Sequence, residues 1–480
     1  MKFDTVIIGA GPGGYVCAIR LAQLGKKVLI IEKNKLGGEC LNYGCIPSKA
    51  LIFASHLYDK IKKAEAFGVE TSGLHFNIDK LQSFRSGLVS KLNQGIGFLL
   101  KQNKVEVLLG EAKFITPQRV SVQTAIGIQE AEATSFVLAT GSSSIQIPGF
   151  EFDGESVIGS KEALELGQRP LSPVPQSLLV LGGGVIGLEL GTYFSKLGTK
   201  VTVVEMMNQL LPGVDKECVA VVERDLKKRG VEILTSSKAK KLEKNGGVGS
   251  ATLGSATLRL TVETQAGEKV LEGDKLLVTI GRKANTQNLG LETIGVKLTE
   301  KGFVAVNSEG QTSHPHIYAI GDMTGQPLLA HKASHDGICV AENIANQKAR
   351  KSKPISWAIF TDPEIAGVGL TQAEAEAQGK KVKVGKFPFL ALGRSLALSE
   401  PEGFTKIIAD EKTHEILGAF IVGAHASDLI SEAALAVTHH LKLEDLAETI
   451  HPHPTLPEAL MEAAEAALGK AIHIPNRPSS

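Results

Sequence analysis

A glycine-rich turn directly after an apolar strand pattern occurs twice in this chain, and it constrains the fold more than any other feature. The first copy, G-A-G-P-G-G at 9–14, follows a β-branched run and precedes a helical pattern at 15–24. A second strand pattern at 27–31 then ends in Glu32. Strand, glycine turn, helix, strand and acid in this order are typical of a βαβ unit that binds a dinucleotide.

Each residue of this first copy has a distinct expected role. Gly9 makes the tight turn, Gly11 lets a pyrophosphate approach the helix N-terminus, and Gly14 lets the helix pack on the strand. Glu32 is expected to accept hydrogen bonds from the ribose hydroxyls. The first 32 residues therefore predict one nucleotide site.

The second copy begins after a strand pattern at 178–181, with Gly182, Gly184 and Gly187 in the corresponding positions. Its second strand pattern ends in Glu205. An acid at this point selects NAD over NADP, because it accepts from the ribose 2′-hydroxyl and repels a 2′-phosphate. No arginine occurs at 206–210 to bind such a phosphate. Two complete copies predict two dinucleotides, of which the second is NAD.

Length and charge limit the class of protein. A chain of 480 residues is too long for one hydrophobic core and predicts about three or four domains. The net charge of +1 gives no sign of a nucleic-acid or anionic-membrane binder. The first residues lack a signal-peptide pattern, which favours a cytoplasmic location. The expected partner is a small molecule or a protein.

Two of the five cysteines, Cys40 and Cys45, lie five residues apart. In a regular helix this separation is about 7.5 Å, and a disulfide tolerates Cα atoms only up to about 7 Å apart. A bridge would therefore need a distorted turn, which Gly44 and Pro47 permit. From the spacing alone, two unrelated buried thiols remain the favoured interpretation. The other cysteines are expected to be buried and unreactive: Cys17, Cys218 and Cys339.

Four further motifs place these features in one context. They are G-G-E-C-L-N-Y-G-C-I-P-S-K at 37–49, F-V-L-A-T-G-S at 136–142, I-Y-A-I-G-D at 317–322 and H-P-H-P-T-L-P-E at 451–458. Together with the two glycine turns, in this order and spacing, they resemble the pyridine nucleotide–disulfide oxidoreductases over essentially the whole chain. The resemblance is specific because the motifs occur together; the short A-T-G and G-D motifs are common by themselves.

The resemblance implies an α/β fold with two Rossmann-like dinucleotide-binding domains and a C-terminal α+β dimerisation domain. We expect an FAD-binding domain at 1–149, an NAD-binding domain at 150–278, a central domain completing the FAD site at 279–350 and an interface domain at 351–480. Prolines at 170, 173 and 175 mark the expected linker between the first two domains. A near-repeat at 249–258 is expected to be an exposed loop.

The segment from 50 to 104 has the spacing of long amphipathic helices. Its apolar residues are expected to pack in the core: Leu81, Phe84, Leu88, Leu92 and Ile96.

The resemblance also implies the catalytic residues. Cys40 and Cys45 would form a redox-active disulfide, with Cys40 as the exposed interchange sulfur and Cys45 against the flavin. His453 would be the base and Glu458 the carboxylate that orients it, since a carboxylate fixes the tautomer of an imidazole and raises its basicity. Without the other motifs, the histidines of 451–458 would be interpreted as surface residues or a metal site. No metal is expected.

Other residues are expected to contact the cofactors FAD and NAD. Lys49 and Glu189 would form an ion pair beside the flavin, and Asp322 would accept a hydrogen bond from its ribityl chain. The remaining expected contacts are Gly9, Gly11, Gly14, Glu32, Ala112, Thr140, Gly141, Ser142, Gly182, Gly184, Gly187, Glu205, Gly281, Arg282, Leu329, Ala330 and His331.

The implied activity is the oxidation of protein-bound dihydrolipoamide to lipoamide with NAD as acceptor. The implied assembly is a homodimer with shared active sites. The implied partner is the lipoyl-bearing acyltransferase of a 2-oxo acid dehydrogenase complex or the H protein of the glycine cleavage system. The sequence predicts neither a nucleic-acid nor a membrane partner, and it does not indicate which complex is served.

Alternatives within and outside the family remain open. Mercuric reductases usually carry a C-terminal cysteine pair, and glutathione reductases carry basic residues for NADP; both features are absent here. A redox-inert nucleotide-binding protein of the same fold is the alternative from another class. The chain departs from the usual family residues at Glu39, Leu392 and Ser427-Asp428. The charge of Glu39 is expected to raise the pKa of the Cys40 thiol.

Overall fold

The computed structural model describes residues 1–167, 174–244, 258–347 and 353–476. The α-helices are α1 Pro12–Gln23, α2 Gly38–Tyr43, α3 Cys45–Lys62, α4 Ile78–Gln102, α5 Ser160–Leu164, α6 Val185–Lys196, α7 Lys216–Lys228, α8 Ala330–Ile344, α9 Gln372–Ala377, α10 Gly393–Ala397, α11 Ala426–Thr438, α12 Leu443–Ala447 and α13 Glu458–Ala467. Short 3-10 helices span Ala64–Phe67, Gly321–Thr324 and Phe389–Ala391.

The strands of the first half are β1 Lys2–Ile8, β2 Val28–Glu32, β3 Glu106–Leu109, β4 Glu111–Thr116, β5 Arg119–Thr124, β6 Gly127–Leu138, β7 Ser142–Ser144, β8 Val157–Ile158, β9 Ser177–Leu181, β10 Lys200–Val204 and β11 Glu232–Leu234. Those of the second half are β12 Lys238–Lys244, β13 Leu258–Thr264, β14 Gly267–Gly273, β15 Lys275–Val278, β16 Arg282–Ala284, β17 Ile317–Ala319, β18 Trp357–Ile359, β19 Glu364–Gly369, β20 Val382–Pro388, β21 Phe404–Asp410 and β22 Ile416–Gly423.

The chain forms two compact units, each made of two separate stretches. The first unit comprises Met1–Val174 and Leu277–Lys351, and the second comprises Pro175–Leu276 and Ser352–Ser480. The chain changes unit at 174/175, 276/277 and 351/352, whereas the domain boundaries were expected at 149/150, 278/279 and 350/351. The finer division into four domains stays a prediction.

The first unit is built on a seven-stranded sheet in the order β3-β2-β1-β6-β5-β4, with β17 paired to β6. Strands β3, β2, β1, β6 and β17 run parallel, whereas β4 and β5 extend the sheet as antiparallel neighbours. All five residues of β2 are buried, as in a parallel strand covered on both faces. The carboxyl ends of β1 and β2 therefore open at the edge where the first glycine turn lies.

Helix α1 packs closely on α8, because glycines on both helices leave room for the backbones. A Cβ added at Gly13 would lie 2.9 Å from the carbonyl oxygen of Ala333. One added at Gly337 would lie 2.5 Å from the carbonyl oxygen of Gly13. The helix that starts the first nucleotide site is thus held by shape against a segment more than 300 residues later in the chain.

The helical segment between 50 and 104 is confirmed as α3 and α4. Leu81 and Ile96 are buried, but the core prediction was wrong for Phe84 and Leu92, which lie exposed. Hydrophobic periodicity shows that a helix has an apolar face, but it does not show whether the same chain covers that face.

In the second unit, β11, β10 and β9 pair in parallel and β15 lies next to β9, while β12, β13 and β14 form a three-stranded antiparallel sheet. Helix α6 follows β9 through the second glycine turn and is almost completely buried. The order of strands around β9 repeats the order around β1, so the two βαβ units predicted from the sequence are confirmed.

The C-terminal stretch folds as a five-stranded antiparallel sheet in the order β18-β19-β22-β21-β20. Helices α11 and α13 pack against it over a core of aromatic and aliphatic side chains that includes Phe387, Phe389 and Leu460. Helix α13 approaches β20 so closely that a Cβ at Gly385 would lie 1.9 Å from the carbonyl oxygen of Ala463. The predicted α/β class with a C-terminal α+β domain is confirmed.

Two expected loops, the helix lengths and the three isolated cysteines complete the description of the fold. Pro170, Pro173 and most of the near-repeat at 249–258 lie outside the described residues. In the part of the chain that the structure describes, every helix is too short or too polar to cross a bilayer. Cys17 and Cys218 are fully buried as expected, but Cys339 is only half-buried, with its Sγ 3.6 Å from Nδ1 of His335.

Candidate active site

The two cysteines of the first unit lie on either side of a break between two helices. Helix α2 ends after Tyr43, Gly44 adopts a non-helical conformation (φ −136°, ψ −108°), and α3 begins at Cys45. This is the distorted turn that the five-residue spacing required. Pro47 lies in the first turn of α3, where its missing N–H costs no helical hydrogen bond.

Both cysteines are thiols in this structure, and they interact with each other. Hydrogen bonding with Cys45, burial and the charge of Cys45 raise the pKa of the Cys40 thiol far above its usual value, while Lys49 acts in the opposite direction. Cys45 is exposed and Cys40 is half-buried, the reverse of the expected order of exposure, and the role of Cys40 as interchange sulfur stays a prediction. Because Cys45 is the first residue of an 18-residue helix, the helix dipole favours negative charge on its sulfur.

The first nucleotide cradle has its acid already oriented. Glu32, at the end of β2, accepts hydrogen bonds from the backbone N–H of Ala10 at 2.8 Å and of Asn34 at 2.8 Å. A Cβ added at Gly14 would lie 1.9 Å from the carbonyl oxygen of Gly9, so only glycine lets α1 start so close to the turn. The close approach at Gly14 agrees with its expected packing role, whereas the ribose contact of Glu32 stays a prediction.

A second turn of the first unit brings Ser142 and Asp322 together. The Ser142 hydroxyl donates to Oδ2 of Asp322 at 2.5 Å. Arg282 donates through Nε to the Ser142 hydroxyl at 2.8 Å and through Nη2 to its carbonyl oxygen at 2.7 Å. Arg282 also pairs with Glu39, with 3.5 Å between Nη2 and Oε1. Three segments that are distant in sequence thus meet beside the cysteine helix.

The backbone around these side chains is fixed by the strand pair β7 and β16. The Gly141 carbonyl accepts from the Asn285 N–H at 2.9 Å, and the Thr140 hydroxyl donates to the Asn285 carbonyl at 2.8 Å. The carbonyl of Gly281 accepts from the N–H of Ile145 at 3.0 Å. The A-T-G turn and the segment after β15 therefore form one support.

Sequence reasoning missed the residues that hold the Asp322 turn. Asp336 accepts from the Gly321 N–H at 3.1 Å and from Lys332 at 2.8 Å, and Lys332 also reaches the Thr324 hydroxyl at 3.2 Å. The i,i+4 spacing of Lys332 and Asp336 on a helix was the available signal. Leu329, Ala330 and His331 lie at the start of this helix, α8, and Ala112 is buried in β4. Their cofactor contacts stay predictions.

The second nucleotide cradle repeats the geometry of the first. Glu205 accepts from the backbone N–H of Gly183 at 2.7 Å and of Met207 at 2.7 Å. Gly184 begins α6 in an extended conformation with open space where a Cβ would be. Gly182 makes the turn with φ +106°, and Gly187 is buried on the helix.

Glu189 lies buried on α6, where Oε1 accepts from the backbone N–H of Phe360 at 2.9 Å. Lys49 lies on α3 in the first unit and influences Cys40. The ion pair expected between Lys49 and Glu189 stays a prediction.

The loop before α13 contains a histidine and a carboxylate in direct contact. Nδ1 of His453 lies 2.9 Å from Oε1 of Glu458, and Oε2 of Glu458 accepts from the Thr455 N–H at 2.7 Å. Burial raises the pKa of Glu458, but the hydrogen bonds with the Thr455 N–H and with His453 outweigh burial, so the pKa lies below its usual value. Glu458 is thus ionised and fixes the His453 ring. The His453–Pro454 peptide bond is cis.

The two histidines of this loop are not equivalent. The side chain of His451 is 5 % exposed, and both its nitrogens are engaged, by Glu432 at 2.8 Å and by the Thr449 carbonyl at 2.8 Å. The side chain of His453 is 78 % exposed and uses only Nδ1 among the described residues. His453 therefore has a nitrogen available to a substrate, whereas His451 does not.

The residues of both cradles fit a dinucleotide. Each presents a helix N-terminus at an unobstructed glycine and a carboxylate held at the end of the second strand. The first can donate to the pyrophosphate of an adenosine diphosphate, and the second can accept from its ribose hydroxyls. The first cradle also has Asp322, which fits the ribityl hydroxyls of FAD. Within the described ranges, no three His, Cys, Asp or Glu residues are grouped so that they could hold a metal ion.

Comparison with known families agrees with this geometry. The family model described as pyridine nucleotide-disulphide oxidoreductase matches residues 3–337. A second model, described as the dimerisation domain of the same oxidoreductases, matches residues 355–464.

Relatives match over the full chain. The chain is 45 % identical to a dihydrolipoyl dehydrogenase of Geobacillus stearothermophilus, over 99 % of this chain and 98 % of that protein. It is also 45 % identical to one of Thermus scotoductus, over 99 % of each. Among solved structures, LpdA from Mycobacterium tuberculosis superposes with a TM-score of 0.87 at 28 % identity, covering 96 % of this chain and 99 % of that one. The HOCl-induced flavoprotein disulfide reductase RclA from Escherichia coli gives 0.83 at 25 % identity, covering 96 % and 99 %.

Proposed function

This chain belongs to the pyridine nucleotide-disulphide oxidoreductase family, and we propose that it oxidises dihydrolipoamide to lipoamide with NAD as acceptor. The observation that carries the proposal is the pair of thiols Cys40 and Cys45 in mutual contact across the break at Gly44. The full-length relatives named dihydrolipoyl dehydrogenase support the choice of substrate.

In the first half of the reaction, a histidine activates the substrate. His453 accepts a thiol proton from dihydrolipoamide at Nε2, and Glu458 stabilises the imidazolium that forms. The substrate thiolate attacks Cys40 of the Cys40–Cys45 disulfide, and Cys45 leaves as a thiolate. The second substrate thiol then displaces Cys40, which releases oxidised lipoamide and leaves both cysteines reduced.

In the second half, the cysteines return to the disulfide. The N-terminus of α3 favours the thiolate form of Cys45, which is the electron donor. Bound FAD would carry the electron pair from this sulfur to NAD. The residues that would hold FAD are Gly11, Glu32, Ser142 and Asp322, and those that would hold NAD are Gly184 and Glu205. Each turnover converts dihydrolipoamide and NAD to lipoamide, NADH and one proton.

The family's dimerisation domain at 355–464 supports a homodimer. In our proposal each site combines Cys40 and Cys45 of one chain with His453 and Glu458 of its partner. The protein partner is a lipoyl-bearing acyltransferase or a glycine-cleavage H protein. A cytoplasmic location is part of the proposal.

The decisive experiment measures dihydrolipoamide oxidation with NAD by wild-type protein and Cys45→Ser. The variant should retain FAD but lose turnover and the long-wavelength absorbance of a thiolate beside the flavin. Cys339→Ser, at a half-buried cysteine outside the site, is the matched control and should stay active. Turnover by Cys45→Ser, or none by the wild type, would refute the assignment.

The shared site can be tested by mixing two inactive variants, Cys45→Ser and His453→Ala, under conditions that exchange subunits. A mixed dimer has one site with both lesions and one with neither. Equal amounts should therefore restore about a quarter of wild-type sites. Demonstrated exchange without recovery would place the base and the disulfide on the same chain.

A further inference from the structure

Glu39 is the residue directly before Cys40. The charge of this residue was expected to raise the pKa of the Cys40 thiol. The main causes that raise this pKa are hydrogen bonding with Cys45 and the burial of the thiol, so the expected effect of Glu39 stays a prediction. The structure gives Glu39 another partner, since its carboxylate lies 3.5 Å from Nη2 of Arg282.

Arg282 connects Glu39 to the turn that carries Asp322. Its side chain is only 15 % exposed, and the same guanidinium donates to the hydroxyl and the carbonyl of Ser142. Since the Ser142 hydroxyl accepts from Arg282, its own hydrogen is directed to Asp322, which it reaches at 2.5 Å. The contacts form a continuous series from Glu39 through Arg282 and Ser142 to Asp322.

The charges along this series alternate. A carboxylate at each end flanks a single guanidinium and one hydroxyl, so Arg282 faces negative charge on both sides. Without Glu39, the guanidinium could move toward Asp322 and pair with it directly, because an arginine close to a carboxylate gains a charge-assisted hydrogen bond. Such a pair would take up an Asp322 oxygen.

We propose that Glu39 is a positioning residue: it holds Arg282 away from Asp322, so that Ser142 alone contacts this carboxylate and its other oxygen stays available to the ribityl hydroxyl of FAD. This inference rests on the proposed use of FAD. It gives Glu39 a role in retaining the cofactor rather than in thiol chemistry.

The test is the rate of FAD release from the holoenzyme, followed by the rise in flavin fluorescence in urea below the unfolding transition. Glu39→Gln should release FAD about two- to fivefold faster than wild type, the range for a half-exposed ion pair. Glu132→Gln is the matched control, because Glu132 is similarly exposed (47 % against 44 %) and pairs with Lys2 at 3.7 Å. This control should leave the release rate unchanged.

Two further readouts separate positioning from a general loss of structure. Because the contact is ionic, added salt should accelerate FAD release from wild type but not from Glu39→Gln. In a Ser142→Ala background, Glu39→Gln should have no further effect, because the connection to Asp322 is already broken. The pH dependence of Cys40 alkylation should be the same in wild type and Glu39→Gln.

Equal FAD release in wild type and Glu39→Gln would overturn the inference, as would additive effects of Glu39→Gln and Ser142→Ala. A shift in the pH dependence of Cys40 alkylation without a change in FAD release would return Glu39 to thiol chemistry. Failure of the proposed function has a different signature, namely an FAD-loaded wild-type protein that does not oxidise dihydrolipoamide.

Discussion

The two nucleotide cradles have the same internal geometry and different surroundings. In each cradle, the acid at the end of the second strand accepts two backbone hydrogen bonds. One comes from an N–H of the glycine turn, and the other comes from the residue two positions after the acid. The resemblance is therefore not only in sequence. Both copies fix their carboxylate in the same way.

The surroundings differ in how tightly they enclose the turn. The first helix packs by shape on α8, and a Cβ at Gly38 would lie 2.6 Å from Cα of Gly11. Around the second turn, Val185, Met206 and Met207 are exposed. An enclosed cradle suits a cofactor that stays bound, and an open one suits a nucleotide that must enter and leave in each cycle.

The largest effect on nucleotide binding should come from replacing a glycine of each turn by alanine. Gly14→Ala directs its Cβ into the Gly9 carbonyl oxygen and should cost about 3 kcal/mol, so the protein should purify without FAD. Gly184→Ala has open space and a φ of −80°, so FAD content should stay normal while the KM for NAD rises about tenfold. The ratio of flavin to protein absorbance and the KM decide this. Normal FAD content in Gly14→Ala would show that the close contact between Gly14 and Gly9 is not needed for FAD binding.

The next effect concerns nucleotide choice at the second cradle. Wild-type protein should prefer NAD over NADP by at least about tenfold. Glu205 is expected to bind the 2′-hydroxyl of NAD and to repel the 2′-phosphate of NADP, a difference in binding free energy of about 1–3 kcal/mol. Glu205→Ala should narrow this preference in kcat/KM. Met206→Ala, at an exposed neighbouring residue, serves as the control and should preserve it. Equal use of both nucleotides by wild type would contradict the expected role of Glu205.

The smallest effect concerns how the region around each cradle is held. Where α1 packs by shape on α8, α7 of the second unit is tied to β20 and β21 by ions: Glu217 lies 2.5 Å from Lys386 and 2.6 Å from Lys406. Burial opposes ionisation of Glu217, but the two lysines lower its pKa to about 2. A carboxyl whose pKa is lower in the folded than in the unfolded protein stabilises the fold at pH values above the unfolded pKa, near 4.5. This stabilisation is lost as the pH falls toward the folded pKa, about 2.

Glu217→Gln should therefore lower the free energy of unfolding at pH 7 by about 0.5 kcal/mol, since half of the side chain is exposed. The difference from wild type should shrink between pH 4.5 and pH 2. Urea unfolding at several pH values measures both. Glu223→Gln is the control, because the ion pair that Glu223 makes among the described residues is with Lys227, on the same helix α7. A difference that does not change with pH would show that the lysines do not act through the charge of Glu217.

Much of the site could be predicted because its residues lie in short, continuous motifs. The cysteine break at Gly44, the two acids Glu32 and Glu205, and the His453–Glu458 pair each depend on contacts within about thirty residues, so spacing carries the information. The resemblance supplied the roles that spacing could not. Phe84 and Leu92 show the limit, because periodicity identified their helix but not their exposure.

By itself, the sequence determined the strand and helix order around both glycine turns, the acid at the end of each second strand and the helix break between the cysteines, because these depend on local backbone conformation and side-chain spacing. Only the tertiary structure decided that Glu39 faces Arg282, that Asp336 and Lys332 hold the Asp322 turn, and that His453 rather than His451 keeps a nitrogen available. The reason is physical. Glu39 pairs with the opposite charge that the fold brings near, and because Arg282 lies more than 200 residues away, the chain carries no periodic trace of that contact. The other two contacts are closer in sequence, but which residues of a loop meet and which stay exposed depends on packing.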